Sequence, residues 1–336
     1  GTWARATQAA PSRRLHGFNG SGRAPATLSF KELKRRLGEN AHEMPYAGYL
    51  MVSVPGAVDG WQQLHDRFGR VPIKELLAPA IAYARNGFPV APVTADDWTL
   101  LNTPAKGPGE YANVRAVFTV DGRTPKAGEI FRNPQLAQDM EQIANEGASV
   151  FYRGSIAQRI DAYMRRIGGP LRAEDLAKHR GEWVDPISVR YRGFDVFELP
   201  PNTQGAVALQ VLRIIEGYDI AAMRFGSADH VHLLVEAFKL AFEDRADFYA
   251  DPRIYPSQLD RLLSQEHAAG HRAAIDMRRV RPTRGRIPKE SHTTYLTVAD
   301  RDGMMVSFIA SLFDGFGSWQ VPDGSGFALQ SRASGF

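Results

Sequence analysis

Apolar residues recur at helical spacing through most of the chain. Leu28, Leu33 and Leu37 behind Ser29 predict a short helix over 28–37 with Ser29 as its cap. Residues 52–54 read as a strand that turns at Pro55-Gly56 into a helix reaching about 68, and 73–87 reads as a second helix containing Pro79 to Ala84. Asn133 followed by Pro134, with Leu136, Met140 and Ile143 on one face and Gly147 beyond, predicts a helix over 134–146. Ile156, Ile160 and Tyr163 mark 155–167, ended by Gly168-Gly169-Pro170, and a short helix follows over 172–178. Val207, Val211, Leu212 and Ile215 mark 206–216, and a long helix begins at Ser227. Its Val231, Leu234, Val235, Phe238, Ala241 and Phe242 form a stripe expected to face the core.

Strand patterns are fewer. Residues 187–191 and 195–199 read as two strands. Near the end, Tyr295, Thr297 and Ala299 alternate with Leu296 and Val298, Asp300 to Gly303 supply turn chemistry, and Met305 to Ile309 resumes a β-rich run. This is a hairpin with Thr293 at the head of its first strand. Residues 1–25 read as irregular, and 96–128 as loop-rich with a hairpin signal over 117–123.

Composition narrows the class without naming a function. With 336 residues, 43% hydrophobic and 23% charged, the chain has ordinary globular make-up and length for one large domain or two ordinary ones. Its net charge of +4 is small, and only 272–286 concentrates basic residues; lacking aromatic interleaving, that run reads as an exposed connecting segment, not a nucleic-acid surface. Cysteine is absent, which removes disulfides, thiol nucleophiles and cysteine metal sites. No apolar run reaches the roughly 18 residues of a membrane span, so neither a membrane nor nucleic acid is expected as a partner. Gly1-Thr2-Trp3-Ala4-Arg5-Ala6 lacks a methionine and a signal-peptide core, so the chain reads as entered partway, and its compartment, cytoplasmic or periplasmic, stays open.

Several candidate sites have ordinary readings. His230 and His232 lack the spacing of four that a helical metal pair needs, and Asp244, Asp247 and Asp251 read as helix-end charges. Neither a metal nor a cofactor is expected.

Thr293 is the candidate nucleophile. An unassisted threonine hydroxyl reacts poorly and needs a base within hydrogen-bond reach. Cleavage between His292 and Thr293 would place a new α-amine, of ordinary pKa about 8, beside the Oγ of the same residue. Thr293-Thr294 alone also reads as ordinary β-propensity. Together with Val298-Ala299-Asp300-Arg301-Asp302-Gly303, Val306-Ser307, Phe316-Gly317-Ser318 and Gly324-Ser325-Gly326, however, it resembles the start of the small subunit of the γ-glutamyltranspeptidase family. Tyr152-Arg153-Gly154, Glu174-Asp175-Leu176, Pro200-Pro201, Glu216-Gly217-Tyr218-Asp219 and the stretch from Glu236 to Pro252 extend the resemblance over nearly the whole chain.

The resemblance implies an α+β fold, the four-layer αββα sandwich of N-terminal nucleophile hydrolases, in a proenzyme that cleaves itself before Thr293. Residues 1–292 would then be large-subunit-like and 293–336 the start of a small subunit, together one composite domain. The two pieces would stay paired, with a homodimer of that pair left open. The chain ends at Phe336, before the Gly-Gly amides that form the family's oxyanion hole, and it is expected to be incomplete at both ends.

Residue by residue, the family's supporting hydroxyl falls on Ser311. Its carboxylate-holding asparagine falls on Phe313, and its gripping arginine on Ser21, with Arg23 two positions later. The family's Gln-Met-Asp-Asp-Phe appears as Arg332-Ala333-Ser334-Gly335-Phe336, so Gly335 stands where an aspartate binds the substrate ammonium. Losing those polar partners removes recognition of a γ-glutamyl zwitterion, because unpaired buried charge costs several kcal/mol. The expected activity is therefore hydrolysis of another small-molecule amide, with water or an amine as acceptor and Arg332 or Arg23 as a new anion contact. A true glutathione hydrolase or transpeptidase, and an uncleaved non-catalytic fragment, are the alternatives.

Overall fold

Capping chemistry places the helices. Ser29 Oγ accepts from Glu32 N at 3.2 Å, Asn133 Oδ1 from Leu136 N at 2.9 Å and Ser227 Oγ from His230 N at 3.3 Å. The computed structural model describes residues 2–6, 14–39, 41, 44, 45, 47–104, 107–282 and 293–335. Helices and strands are mixed, as an α+β chain requires. The chain divides into two units. One comprises Gly1–Asn19, Trp183–Lys289 and Val298–Val306, the other Gly20–Glu182, Glu290–Thr297 and Ser307–Phe336.

In the first unit, Ile187–Tyr191 pairs antiparallel with Phe194–Glu198, Ile187 opposite Glu198. The two-residue turn between them has positive φ at both Arg192 and Gly193, the conformation that matches strand twist. Helices Gly205–Ile215, Ala228–Phe248 and Gln265–Ala274 enclose a core of Val207, Val211, Ile214, Leu233, Ala237, Leu240, Ala241 and Ile275. The stripe expected to face that core is largely on the other side: Val231, Val235, Phe238 and Phe242 are exposed, while Ala241 is buried and Leu234 partly so. Ala228–Phe248 is apolar on two faces, and packing against Gly205–Ile215 and Gln265–Ala274 selects between them. Its buried face even carries an ion pair, Lys239 Nζ to Glu236 Oε1 at 2.7 Å, with Glu236 1% exposed.

Residues 1–25 are not all irregular. Thr2–Ala6 pairs antiparallel with Arg14–Asn19, Thr2 opposite Phe18 and Ala6 opposite Arg14. The strands lie in a five-stranded sheet of order Glu182–Val184, Arg14–Asn19, Thr2–Ala6, Met305–Ala310, Thr294–Ala299. The two strands are made by pairing with each other, and no regular apolar–polar alternation in either one announces it.

In the second unit, helices Ala57–Phe68, Ile73–Asn86, Pro134–Glu146 and Ser155–Arg166 follow the expected spans. The strand expected over 52–54 is instead irregular backbone after the 3-10 turn Tyr49–Met51, with Val52 and Val54 buried. The stretch expected to be loop-rich contains helices Pro92–Trp98 and Ala112–Phe118, and Val120 bridges Arg123. One core gathers Val58, Phe151, Tyr152, Ile156, Ile160, Tyr163, Met164 and Leu176, and a second gathers Val90, Trp98, Leu101, Val114, Phe131, Trp319 and Val321.

Candidate active site

Thr293 is exposed and stands immediately before the strand Thr294–Ala299. That strand and Met305–Ala310 have equal lengths, and their turn is held by Asp300 Oδ1, which accepts from Asp302 N at 2.9 Å and Met304 N at 2.8 Å. Asp300 N donates to Met304 O at 3.0 Å and closes the turn. Tyr295 Oη and Ser307 Oγ, 2.9 Å apart, hydrogen-bond across the same hairpin. His292, on the other side of the expected cleavage point, lies outside the described residues.

Ser311 is the centre of a small cluster. Its Oγ accepts from Arg332 Nη2 at 2.8 Å and from Phe313 N at 3.1 Å, and its carbonyl lies 3.4 Å from the same Nη2. The Arg332 guanidinium sits 4.9 Å from the centre of the Phe313 ring, a cation–π arrangement. Arg332 is exposed as a residue, yet desolvation of its guanidinium lowers its pKa from the ordinary value. Phe313 adopts φ 82°, a left-handed conformation costly for an aromatic residue. A Cβ built on Gly335 would lie 3.3 Å from Phe313 Cζ, so the ring closes over the position where the resemblance expects an aspartate.

Ser21 and Arg23 lie on a separate loop, both exposed. Its glycines serve close backbone approach: a Cβ on Gly22 would fall 1.7 Å from Val54 O, and one on Gly56 1.7 Å from Gly20 O. Val54 N donates to Arg23 O at 2.9 Å, which completes the clasp. The Arg23 guanidinium lies 3.9 Å from Glu182 Oε1, both side chains more than half exposed, an ion pair of small energetic value.

Gln330 and Ser53, which no motif singles out, connect the clasp to the Ser311 cluster. Gln330 Nε2 donates to Ser53 O at 2.6 Å and also reaches Ser53 Oγ, while Gln330 Oε1 accepts from Arg332 N. Ser311, Phe313, Arg332 and Gly335 are thus brought together, and Gln330 links them to the backbone beside Arg23.

Behind the clasp, Tyr152 Oη donates to Pro55 O at 2.9 Å and accepts from Asp59 N at 3.0 Å. Its ring stacks on His179 with centroids 5.2 Å apart. Burial holds the His179 imidazole below its ordinary pKa, against the opposing pull of Asp59, and burial pushes the Tyr152 phenol up.

The glycine-serine motifs downstream have packing roles. Ser318 Oγ and N both bond Leu329 O at 2.8 Å, Gly326 N donates to Asp139 Oδ2 at 2.9 Å, and Asn133 Nδ2 donates to Gly326 O at 2.8 Å. These contacts seat the segment before Gln330 and Arg332, holding both residues in register.

Known proteins resemble this chain over nearly its whole length. The profile described as "Gamma-glutamyltranspeptidase" matches residues 5–336. The glutathione hydrolase-like YwrD proenzyme of Bacillus subtilis is 37% identical over 320 residues, 95% of this chain and 59% of that protein. The acylase ACY 1 proenzyme of Pseudomonas sp. strain SE83 is 37% identical over 293 residues, 86% of this chain and 52% of that protein. Among solved structures, the cephalosporin acylase from Bacillus halodurans superposes with a TM-score of 0.84 at 36% identity, over 100% of this chain and 60% of that one. The chain therefore spans between half and three-fifths of the length of these relatives.

Proposed function

Because the chain belongs to the γ-glutamyltranspeptidase family, we propose that it is a self-processing amide hydrolase or acyltransferase whose nucleophile is Thr293, freed by cleavage at His292–Thr293. The observation that carries the reading is that Thr293 is exposed at the head of the strand Thr294–Ala299.

In maturation, Thr293 Oγ attacks the carbonyl carbon of His292 and the C–N bond breaks, giving an ester on Oγ and the free α-amine of Thr293. Water then cleaves the ester, leaving a carboxylate on His292. In turnover the α-amine takes the Oγ proton as Oγ attacks the substrate amide, and returns it to the leaving amine. The acyl ester passes to water, or to an amine acceptor. Ser311 Oγ, fixed by Arg332, is within the same hairpin end and supplies a hydrogen-bonding partner to Thr293. Residues 1–292 and 293–336 would then belong to two subunits of one composite domain.

The substrate is proposed to be an amide with an acyl group other than γ-glutamyl. Ser21, Phe313 and Gly335 stand where the family's resemblance expects groups for the glutamyl carboxylate and ammonium, and Phe313 occupies the space beside Gly335. Arg332 remains as a cation for an anionic acyl group. The acylase relative at 37% identity supports this reading. A γ-glutamyl substrate is the second reading, favoured by the glutathione hydrolase-like relative of equal identity.

Intact mass and N-terminal sequencing of the purified protein test the nucleophile. The expected result is two chains, one beginning at Thr293, and a single chain in Thr293→Ala. A Thr293→Ala protein that still splits there and still hydrolyses the parent's amides overturns the reading; a parent that never splits favours an uncleaved, non-catalytic protein. Turnover of acyl anilides against a γ-glutamyl anilide separates the two substrate classes.

A further inference from the structure

Asp244, His267 and His271 are the one group of three metal-ligand side chains among the described residues whose donor atoms lie within 4.8 Å of one another. We propose that they bind one divalent transition-metal cation, Zn2+ foremost, as a clamp between the helices Ala228–Phe248 and Gln265–Ala274.

The two histidines are four residues apart on one face of Gln265–Ala274, the spacing at which a helix presents two imidazoles to a single ion. Ser264 caps this helix, its Oγ accepting from His267 N at 3.1 Å, so the first imidazole leaves a fixed turn. Both Nε2 atoms point at one oxygen: His267 Nε2 is 2.6 Å and His271 Nε2 2.8 Å from Asp244 Oδ2. Gln210 Nε2 donates to that same oxygen at 2.5 Å. Three nitrogens thus converge on one carboxylate oxygen, which leaves it crowded as a simple hydrogen-bond acceptor. A dication between Oδ2 and the two Nε2 atoms replaces two of those N–H contacts with bonds from the nitrogen lone pairs.

The donor set suits the ion. Two neutral imidazoles and one carboxylate make three of the four positions of a tetrahedral zinc site, leaving one for water. Ligand bonds of about 2.0–2.1 Å separate tetrahedral donors by about 3.3 Å, so each imidazole must retreat by roughly half an ångström. The next layer is built as well. Gln210 Nε2 orients the carboxylate, and Tyr249 Oη, donating to Gln210 Oε1 at 2.6 Å, fixes the amide. Asp244 is 7% exposed and the two imidazoles about one-sixth exposed, so the ion would be shielded from bulk water on the protein side.

The donor set shares no residue with the Thr293 and Ser311 cluster. Its test uses untagged protein stripped with a chelator, titrated with ZnCl2 and, for a spectroscopic signature, with CoCl2. The expected result is one equivalent of Zn2+, visible d–d bands of tetrahedral Co2+, and a Tm raised by about 5 °C at a hundredfold excess over Kd. His271→Gln should weaken binding at least 100-fold and abolish both the bands and the Tm shift. Gln210→Ala should weaken it about 10-fold while keeping the bands. Equal Zn2+ affinity in the parent and in both His267→Gln and His271→Gln, or no stoichiometric uptake by the parent, overturns the proposal.

Discussion

Arg332 holds Ser311 by its hydroxyl, Nη2 to Oγ at 2.8 Å, while its guanidinium lies over the Phe313 ring. One side chain thus fixes the Ser311 hydroxyl and covers the Phe313 ring.

Arg332→Ala is therefore expected to raise KM for acyl groups ending in a carboxylate by about 10- to 100-fold, the worth of a charge-assisted hydrogen bond, and to leave neutral acyl groups less affected. Arg332→Lys should restore part of the anionic preference. Initial rates on a matched pair of anionic and neutral acyl anilides check this.

Ser311→Ala keeps the hairpin and removes only the hydroxyl. Hydrolysis should fall by about 10- to 100-fold, and conversion to two chains should slow. Thermal unfolding in parallel separates this loss from misfolding, since the parent and variant should unfold within about 2 °C of each other.

Gly22→Ala forces a methyl to 1.7 Å from Val54 O, and neither backbone can give way. A destabilisation of about 3 kcal/mol is expected, read as a lower denaturant midpoint. Gly270→Ala has the opposite sign. Gly270 lies inside Gln265–Ala274 with nothing within 4 Å of an added Cβ, so alanine should stabilise by about 0.5–1 kcal/mol.

Burial depresses the pKa of His179 in the folded chain. Below the ordinary histidine value of about 6.5 the unfolded chain binds the proton more readily, so this residue's linkage lowers stability as pH falls from about 6.5 towards the folded pKa. Tm measured across that window should fall in the parent, with a shallower slope in His179→Gln.

Local chemistry was readable where a single residue decides the outcome. Ser29, Asn133 and Ser227 start their helices because each supplies an oxygen to a free N–H, a fact visible in the sequence. The turn at Asp300 to Gly303 was equally plain, Gly303 taking φ 83°. Outcomes that depend on a partner element were not. Thr2–Ala6 and Arg14–Asn19 are strands through pairing with each other, and the outward face of Ala228–Phe248 was indistinguishable from its inward face by hydropathy alone. In the candidate site, Ser311 and Arg332 were named from motif positions, whereas Gln330 and Ser53 matter through two hydrogen bonds that no spacing encodes. His267 and His271 were missed although their spacing of four was in view; 272–286 drew attention as a basic run and hid the helix at its start. Arg272 and Arg281 of that run are engaged, Arg272 Nη1 with Arg213 O at 2.9 Å and Arg281 Nη1 with Glu243 Oε2 at 3.0 Å, while 283–290 lie outside the described residues. Asp244, read as a helix-end charge, is buried beneath the two imidazoles.

Phe313 and Gly335 fit each other as a couple, the ring taking the volume that a larger neighbour would claim. If these two positions do face the acyl group, as proposed, their fit makes them a unit: a side chain introduced at 335 alone meets aromatic carbon, and room for it opens only when position 313 changes as well.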